Sequence, residues 1–131
     1  MSRIYRIDVA MHASTHSKGK LAEDLAYQYL KRQGLRLLAK NYRSRMGEID
    51  LIMRDGDVTV FIEVRSRKRE GHMHVVESID SGKRAHIVRT SLEYLQNHRR
   101  SNKDICRFDV ILLIGPPESV RIEWIKNAFE A

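Results

Sequence analysis

Two stretches of alternating apolar and polar residues, set on either side of an Asp-Gly pair, constrain this chain more than any other feature. Residues 48–53 put Ile49, Leu51 and Met53 on one side and Glu48, Asp50 and Ile52 on the other. Residues 58–65 set Val58, Val60, Ile62 and Val64 against Thr59, Phe61, Glu63 and Arg65. A period of two is the mark of a strand with one buried face. Asp55-Gly56 between the two runs is a strong hairpin signal. With the turn centred there, Arg54 faces Asp57, Ile52 pairs with Thr59, Asp50 with Phe61 and Glu48 with Glu63. Glu48, Asp50, Glu63 and Arg65 then share one face. On that register Asp50 and Glu63 are diagonal neighbours roughly 7 to 8 Å apart at the backbone, within reach of one divalent cation. A three-residue loop would reverse the parity. The competing reading is a solvated sheet face whose acids pair with nearby basic residues.

The rest of the chain supplies elements to cover that hairpin. From residue 18 to 33, Leu21, Ala22, Leu25, Ala26, Tyr29 and Leu30 recur at the spacing of one helical face, and Gly34 is placed to cap its C-terminus. Glu23 sits about 20° from Leu30 on the helical wheel, at the rim of the apolar face, where a third carboxylate can look toward the sheet. Residues 35–42 predict a strand and residues 66–76 a loop. Residues 81–98 return to helical spacing through Ile87, Val88, Leu92 and Leu95. Residues 107–114 are nearly all apolar after Asp109, as in a strand covered on both faces. Gly115-Pro116-Pro117 ends it, a last strand follows at 120–125, and 127–131 is a tail. The expected order is αβββαββ, an α/β domain with a mixed central sheet flanked by helices over residues 18–131. Residues 1–17 lack a clear period and are expected to be a mobile arm.

At 131 residues the chain has room for one domain and one core. Lys and Arg outnumber Asp and Glu by 24 to 17, a net charge of +7 that suits a polyanionic partner. The surplus is clustered. Residues 31–45 carry Lys31, Arg32, Arg36, Lys40, Arg43 and Arg45 and no acid, and Arg65, Arg67, Lys68 and Arg69 follow one another after the second strand. Lys83 and Arg84 fall in the first turn of the second helix, where the macrodipole disfavours cations unless a phosphate arrives. Arg43, Arg45, Arg67, Lys68, Arg69, Lys83 and Arg84 are therefore the candidate nucleic-acid contacts. The longest apolar run, residues 110–114, falls far short of the roughly 18 residues of a membrane span. No signal peptide is apparent, and the single Cys106 forms no intramolecular disulfide, so a cytoplasmic setting is expected.

Asp50, a hairpin, and then Glu63-Val64-Arg65 resemble the PD-(D/E)xK nuclease signature, with Arg65 where that motif usually has Lys. The fuller pattern is more specific. Gly19, Ala22-Glu23, Asn41, Arg43, Gly47-Glu48-Ile49-Asp50-Leu51-Ile52, Phe61-Ile62-Glu63-Val64-Arg65, Arg67, Lys83 and Arg107-Phe108-Asp109-Val110 resemble the bacterial YraN family, in order, from residue 18 to 114. That family is similar to Holliday junction resolvases. The resemblance implies a restriction-endonuclease-like fold, nuclease activity on DNA that is structured or branched, and Mg²⁺ or Mn²⁺ as cofactor. It also implies an acidic triad of Glu23, Asp50 and Glu63, with Asp50 and Glu63 as metal ligands and Arg65 at the phosphate. Phosphodiester hydrolysis needs charge stabilisation at phosphorus and an activated water, and a cation held by carboxylates supplies both. Arg65 can hold a phosphate bidentately, but a guanidinium is too strong a base to transfer a proton. A catalytically impaired DNA-binding or interaction module with the same fold is the alternative. The sequence is compatible with a homodimer without showing one.

Other signals point to structure. His12 with His16 and His72 with His74 lack the Cys or acid partners of a zinc set. Asp109 reads as a carboxylate satisfied by backbone or by Arg107. Tyr27, Tyr29 and Tyr94 read as core or boundary residues, and Cys106 as a small apolar one.

Overall fold

The computed structural model describes residues 2–5, 18–68, 79–98, 105–116 and 118–131. The elements are β1 (Ser2–Tyr5), α1 (Lys18–Arg32), β2 (Arg36–Ser44), β3 (Gly47–Asp55), β4 (Val58–Arg67), α2 (Ser81–Asn97), β5 (Ile105–Ile114) and β6 (Val120–Phe129). They build an α/β fold around one mixed sheet, consistent with a restriction-endonuclease-like architecture. Its strand order is β1-β6-β5-β4-β3-β2, antiparallel throughout except for the parallel pair β4–β5 at the centre.

Period-two side chains on the central strands feed two cores at once. Leu51, Met53, Val60, Ile62, Ile111 and Leu113 meet Ala22, Ala26, Tyr29 and Leu30 of α1. Ile52, Phe61, Phe108, Val110 and Leu112 meet Ile87 and Tyr94 of α2 on the opposite face. Each side chain of this kind, once fully buried, contributes about 1.5 to 3 kcal/mol. The helix ends follow from local chemistry. Gly34, at φ 98, lets the Leu35 N–H return to the Leu30 carbonyl and close α1. Asp80 caps α2, its Oδ1 accepting the Lys83 N–H at 2.8 Å.

Three differences from the sequence reading have physical causes. First, the β3–β4 turn places Gly56 and Asp57 at its centre, so Asp55 pairs with Val58, Ile52 with Phe61 and Leu51 with Ile62. Gly56 takes φ 60 at the first central position, the place glycine holds in a type II′ turn. Second, residues 127–129 extend β6 instead of forming a tail, since Phe129 pairs with Phe108 and stacks on its ring at 5.0 Å. Third, residues 2–5 form β1 beside β6, an edge strand ahead of the expected αβββαββ order. The histidine pairs at 12 and 16 and at 72 and 74 lie outside the described residues.

The resting places of Asp109 and the tyrosines match the structural reading. Asp109 is fully buried, with Arg107 Nε 3.1 Å from both of its oxygens, Trp124 Nε1 donating at 2.9 Å and the Asn127 N–H donating at 2.9 Å. Tyr29 and Tyr94 are buried in the two cores. Cys106 packs partly buried beside the second.

Candidate active site

Alternation fails at one place in β2 and β3, and the site is built there. Ile52 and its partner Ala39 face the α2 core, and so do Ile49 and its partner Tyr42. Between them Leu51 faces the α1 core. A strict period of two cannot send both Ile49 and Ile52 to one face, so the two strands change phase together at Asn41 and Asp50. Asn41 makes this step at φ 50, a left-handed conformation that asparagine tolerates better than most residues. The pairing of β3 with β4 stops at Leu51 and Ile62 on the same level. The Asp50 side chain takes up the next backbone donor, its Oδ2 accepting the Val64 N–H at 2.8 Å.

Asp50 is thus a carboxylate lodged against the backbone of the neighbouring strand. Burial pushes its carboxyl up to about 7, the charge of Glu63 pushes the same way, and the Val64 N–H opposes them. The more distant charge of Glu23 and a hydrogen bond shared with Glu63 raise it further. Glu23, on α1, is itself shifted upward, chiefly by burial and against a hydrogen bond from Asn41, with the charge of Glu48 adding to the rise. The three acids expected to form a triad therefore sense one another across α1, β3 and β4. The charges that act most strongly on Asp50 are those of acids, Glu63 first and then Glu23. Asp109, buried in the same sheet and likewise accepting a backbone N–H, has the Arg107 guanidinium beside it.

Glu63 is treated differently. Only 5% exposed, its Oε2 lies 3.0 Å from Arg65 Nε and 2.8 Å from Lys83 Nζ. Lys83, expected along a nucleic-acid path, reaches the buried carboxylate of Glu63. Its partner in that expectation, Arg84, turns inward, donating to the Ile79 carbonyl at 2.8 Å and lying 5.7 Å from the Phe129 ring. Glu48 sits at the rim beside Arg43, 3.6 Å away.

The cations are gathered at one end of the sheet. Arg43 and Arg45 stand at the β2–β3 turn, and Arg65, Arg67 and Lys68 at the end of β4, which the antiparallel order brings to the same edge as the start of β3. Arg43, Arg45 and Lys68 are exposed; Arg67 is half-buried, its Nη1 donating to the Ser66 carbonyl at 2.9 Å. Arg69 lies outside the described residues. Helix α2 is fastened to this end, with His86 Nδ1 2.6 Å from the Met46 carbonyl. At Gly47, φ 151, a side chain would come within 3.2 Å of both His86 Cβ and Thr90 Oγ1, so glycine lets helix and turn approach.

A hard divalent cation suits the donor set of Asp50, Glu63 and Glu23, which is all oxygen. Among the described residues no group of three His, Cys, Asp or Glu is arranged to ligate a metal. Asp50 and Glu63 would therefore give two protein ligands and leave the rest to water and substrate oxygens, the habit of Mg²⁺. Two roles were not legible in the sequence. Asn41, part of the family pattern, holds Glu23 and shares the phase change. Lys83 was expected at a phosphate, and its reach to Glu63 was not foreseen because nothing local showed how far its side chain extends.

Sequence comparison agrees with the match expected from the motifs. The model of the uncharacterised protein family UPF0102 matches residues 22–113, which include all three acids and Lys83. A UPF0102 protein of Stutzerimonas stutzeri is 42% identical over 119 residues, covering 91% of this chain and 99% of the relative. One from Legionella pneumophila is 47% identical over 117 residues, covering 89% and 98%. One from Pseudomonas aeruginosa is 45% identical over 123 residues, covering 90% and 96%.

Proposed function

The chain belongs to the uncharacterised protein family UPF0102, the family also called YraN, and from that premise we propose that it is a metal-dependent nuclease acting on DNA. The observation that carries this reading is the carboxylate cluster: Asp50, half-buried and held by the Val64 N–H, feels the charges of Glu63 and Glu23, and burial with these charges raises its carboxyl to about 7. A fold retains such an arrangement at a cost in stability, and strongly shifted carboxylates in a cleft of like charge mark functional sites.

Asp50 and Glu63 would hold Mg²⁺ or Mn²⁺, with Glu23 as a supporting acid. When bound, the cation lowers the pKa of a coordinated water and offsets charge on the phosphoryl oxygens. The protein's own groups do the rest. The Val64 N–H fixes the Asp50 carboxylate, Asn41 steadies Glu23, and Arg65 and Lys83 stand where phosphate oxygens would arrive. Exposed Arg43, Arg45 and Lys68 at the same end of the sheet suit a DNA backbone. Preference for branched DNA follows from likeness to junction resolvases, and a cytoplasmic setting accords with the lone cysteine. Among the described residues no helix is long and apolar enough to cross a membrane.

The test is cleavage of duplex, single-stranded, flap and four-way-junction DNA with Mg²⁺ or Mn²⁺, run beside equilibrium binding. Binding is expected to weaken with salt at a log-log slope of about −3 to −6, one counterion for each phosphate neutralised. A slope near zero, or no binding at low salt, rules out the nucleic-acid reading. Binding with that slope and no cleavage identifies a DNA-binding module. That second reading has its own support: Glu63 already carries two neutralising cations.

A further inference from the structure

The two cations on Glu63 are not equivalent. Arg65 Nε is buried and makes no aligned hydrogen bond, although it lies 3.0 Å from Oε2. Its planar guanidinium neutralises the carboxylate from a fixed direction. Lys83 reaches the same oxygen at 2.8 Å with an ammonium whose three protons rotate freely, on a side chain 46% exposed. The ammonium therefore faces solvent on one side and the acids on the other.

Its backbone is held from two directions. The Lys83 N–H donates to Asp80 Oδ1, and one turn later His86 contacts the Met46 carbonyl. The start of α2 is thus tied to the end of the sheet that carries the acids. A cation in a first helical turn opposes the macrodipole. The reach to β4 carries the Lys83 charge away from the helix end and onto a buried carboxylate.

Resting on the nuclease reading, we propose that Lys83, delivered from α2, is the catalytic cation of this site and fills the role the PD-(D/E)xK motif gives to its strand lysine. Arg65 is a positioning residue that keeps Glu63 oriented. Without substrate, Lys83 holds Glu63; with DNA present, its ammonium turns to a non-bridging oxygen of the scissile phosphate. In the reaction the water oxygen bonds to phosphorus and the ester bond to the leaving sugar oxygen breaks. The water proton passes to solvent, and solvent protonates the leaving oxygen. Lys83 stays charged throughout and offsets the negative charge that grows on the equatorial oxygens.

The experiment compares the full chain with Lys83→Met, which keeps an apolar stem, and with Lys83→Met combined with Arg65→Lys. Single-turnover cleavage by Lys83→Met is expected to fall about a hundredfold, while DNA affinity measured without metal stays within about threefold, one phosphate contact among several. The double variant is expected to regain about tenfold, since a lysine at position 65 brings an ammonium to the same carboxylate oxygen. Calorimetry with Mn²⁺ alone needs no turnover: Lys83→Met is expected to bind Mn²⁺ severalfold more tightly, because Glu63 has lost a competing cation. An active chain whose Lys83→Met variant keeps pace, or whose loss the second lysine does not repair, overturns the assignment of Lys83 alone. Unchanged Mn²⁺ affinity overturns it as well. A chain inert on every substrate overturns the nuclease reading and this inference with it.

Discussion

Asp50→Asn is expected to abolish cleavage, by about a thousandfold or more, and at the same time to make the protein more stable above neutrality. The sign follows from linkage. The carboxyl sits at about 7 in the fold, against about 3.9 in an unfolded chain. Between those values the folded state holds a proton that the unfolded state has released, so stability falls as pH rises through that window. It is fully present below about 4 and fully lost above about 7. Asparagine keeps an oxygen for the Val64 N–H and carries no charge to repel Glu63. Its advantage is therefore greatest near pH 8, up to about 4 kcal/mol, and vanishes near pH 4. Urea denaturation of both proteins at pH 4.5, 6 and 8 measures it. A difference that does not change with pH shows that Asp50 is not the half-buried, proton-holding group described above.

Asp109→Ala works in the opposite direction. The substitution removes one carboxylate, strands the Trp124 indole N–H and the Asn127 backbone N–H, and leaves the Arg107 guanidinium with Asp55 alone. Breaking a buried, hydrogen-bonded ion pair on one side costs about 3 to 5 kcal/mol. The register of β5 against β6 shifts between Phe108 and Val110, and Asn127, at φ 52, stands in the matching stretch of β6. The Asp109 carboxylate holds that irregularity, so the loss reaches strand pairing as well as charge. A loss below about 1 kcal/mol by equilibrium denaturation contradicts this account.

What the sequence disclosed about the fold came from period and punctuation. The helix ending at Gly34, the hairpin around Gly56 and the apolar strand after Asp109 were legible because each rests on contacts within a few residues. The turn was misplaced by one position, yet pairs such as Ile52 and Phe61 moved by two residues together. The same faces therefore stayed together, and Asp50 still met Glu63. The strand at Ser2–Tyr5 was illegible because four edge residues carry too little pattern to be read. The phase change at Asn41 and Asp50 was illegible for another reason. Alternation predicts which face a side chain takes, and a carboxylate lodged against the neighbouring strand takes neither. The pairing of Lys83 with Glu63 stayed hidden because the two lie twenty positions apart, on different layers of the fold.

The parallel contact between β4 and β5 sets an order of events in folding. Strands β2, β3 and β4 are joined by tight turns and can find one another quickly, whereas β5 reaches β4 only after the chain has passed through α2. Closing so long an excursion is slow compared with closing a turn. In a growing native structure Asp50 and Glu63 are therefore expected to meet early, on a three-stranded meander that lacks its lysine. The ammonium comes only with the helix. Refolding at neutral pH starts with Arg65 alone to offset two carboxylates, and docking of α2 both completes the hydrophobic layer and delivers a second counter-charge. The rate at which this protein folds should accordingly depend on the acidity of its surroundings, and the dependence should disappear when Asp50 is replaced by asparagine.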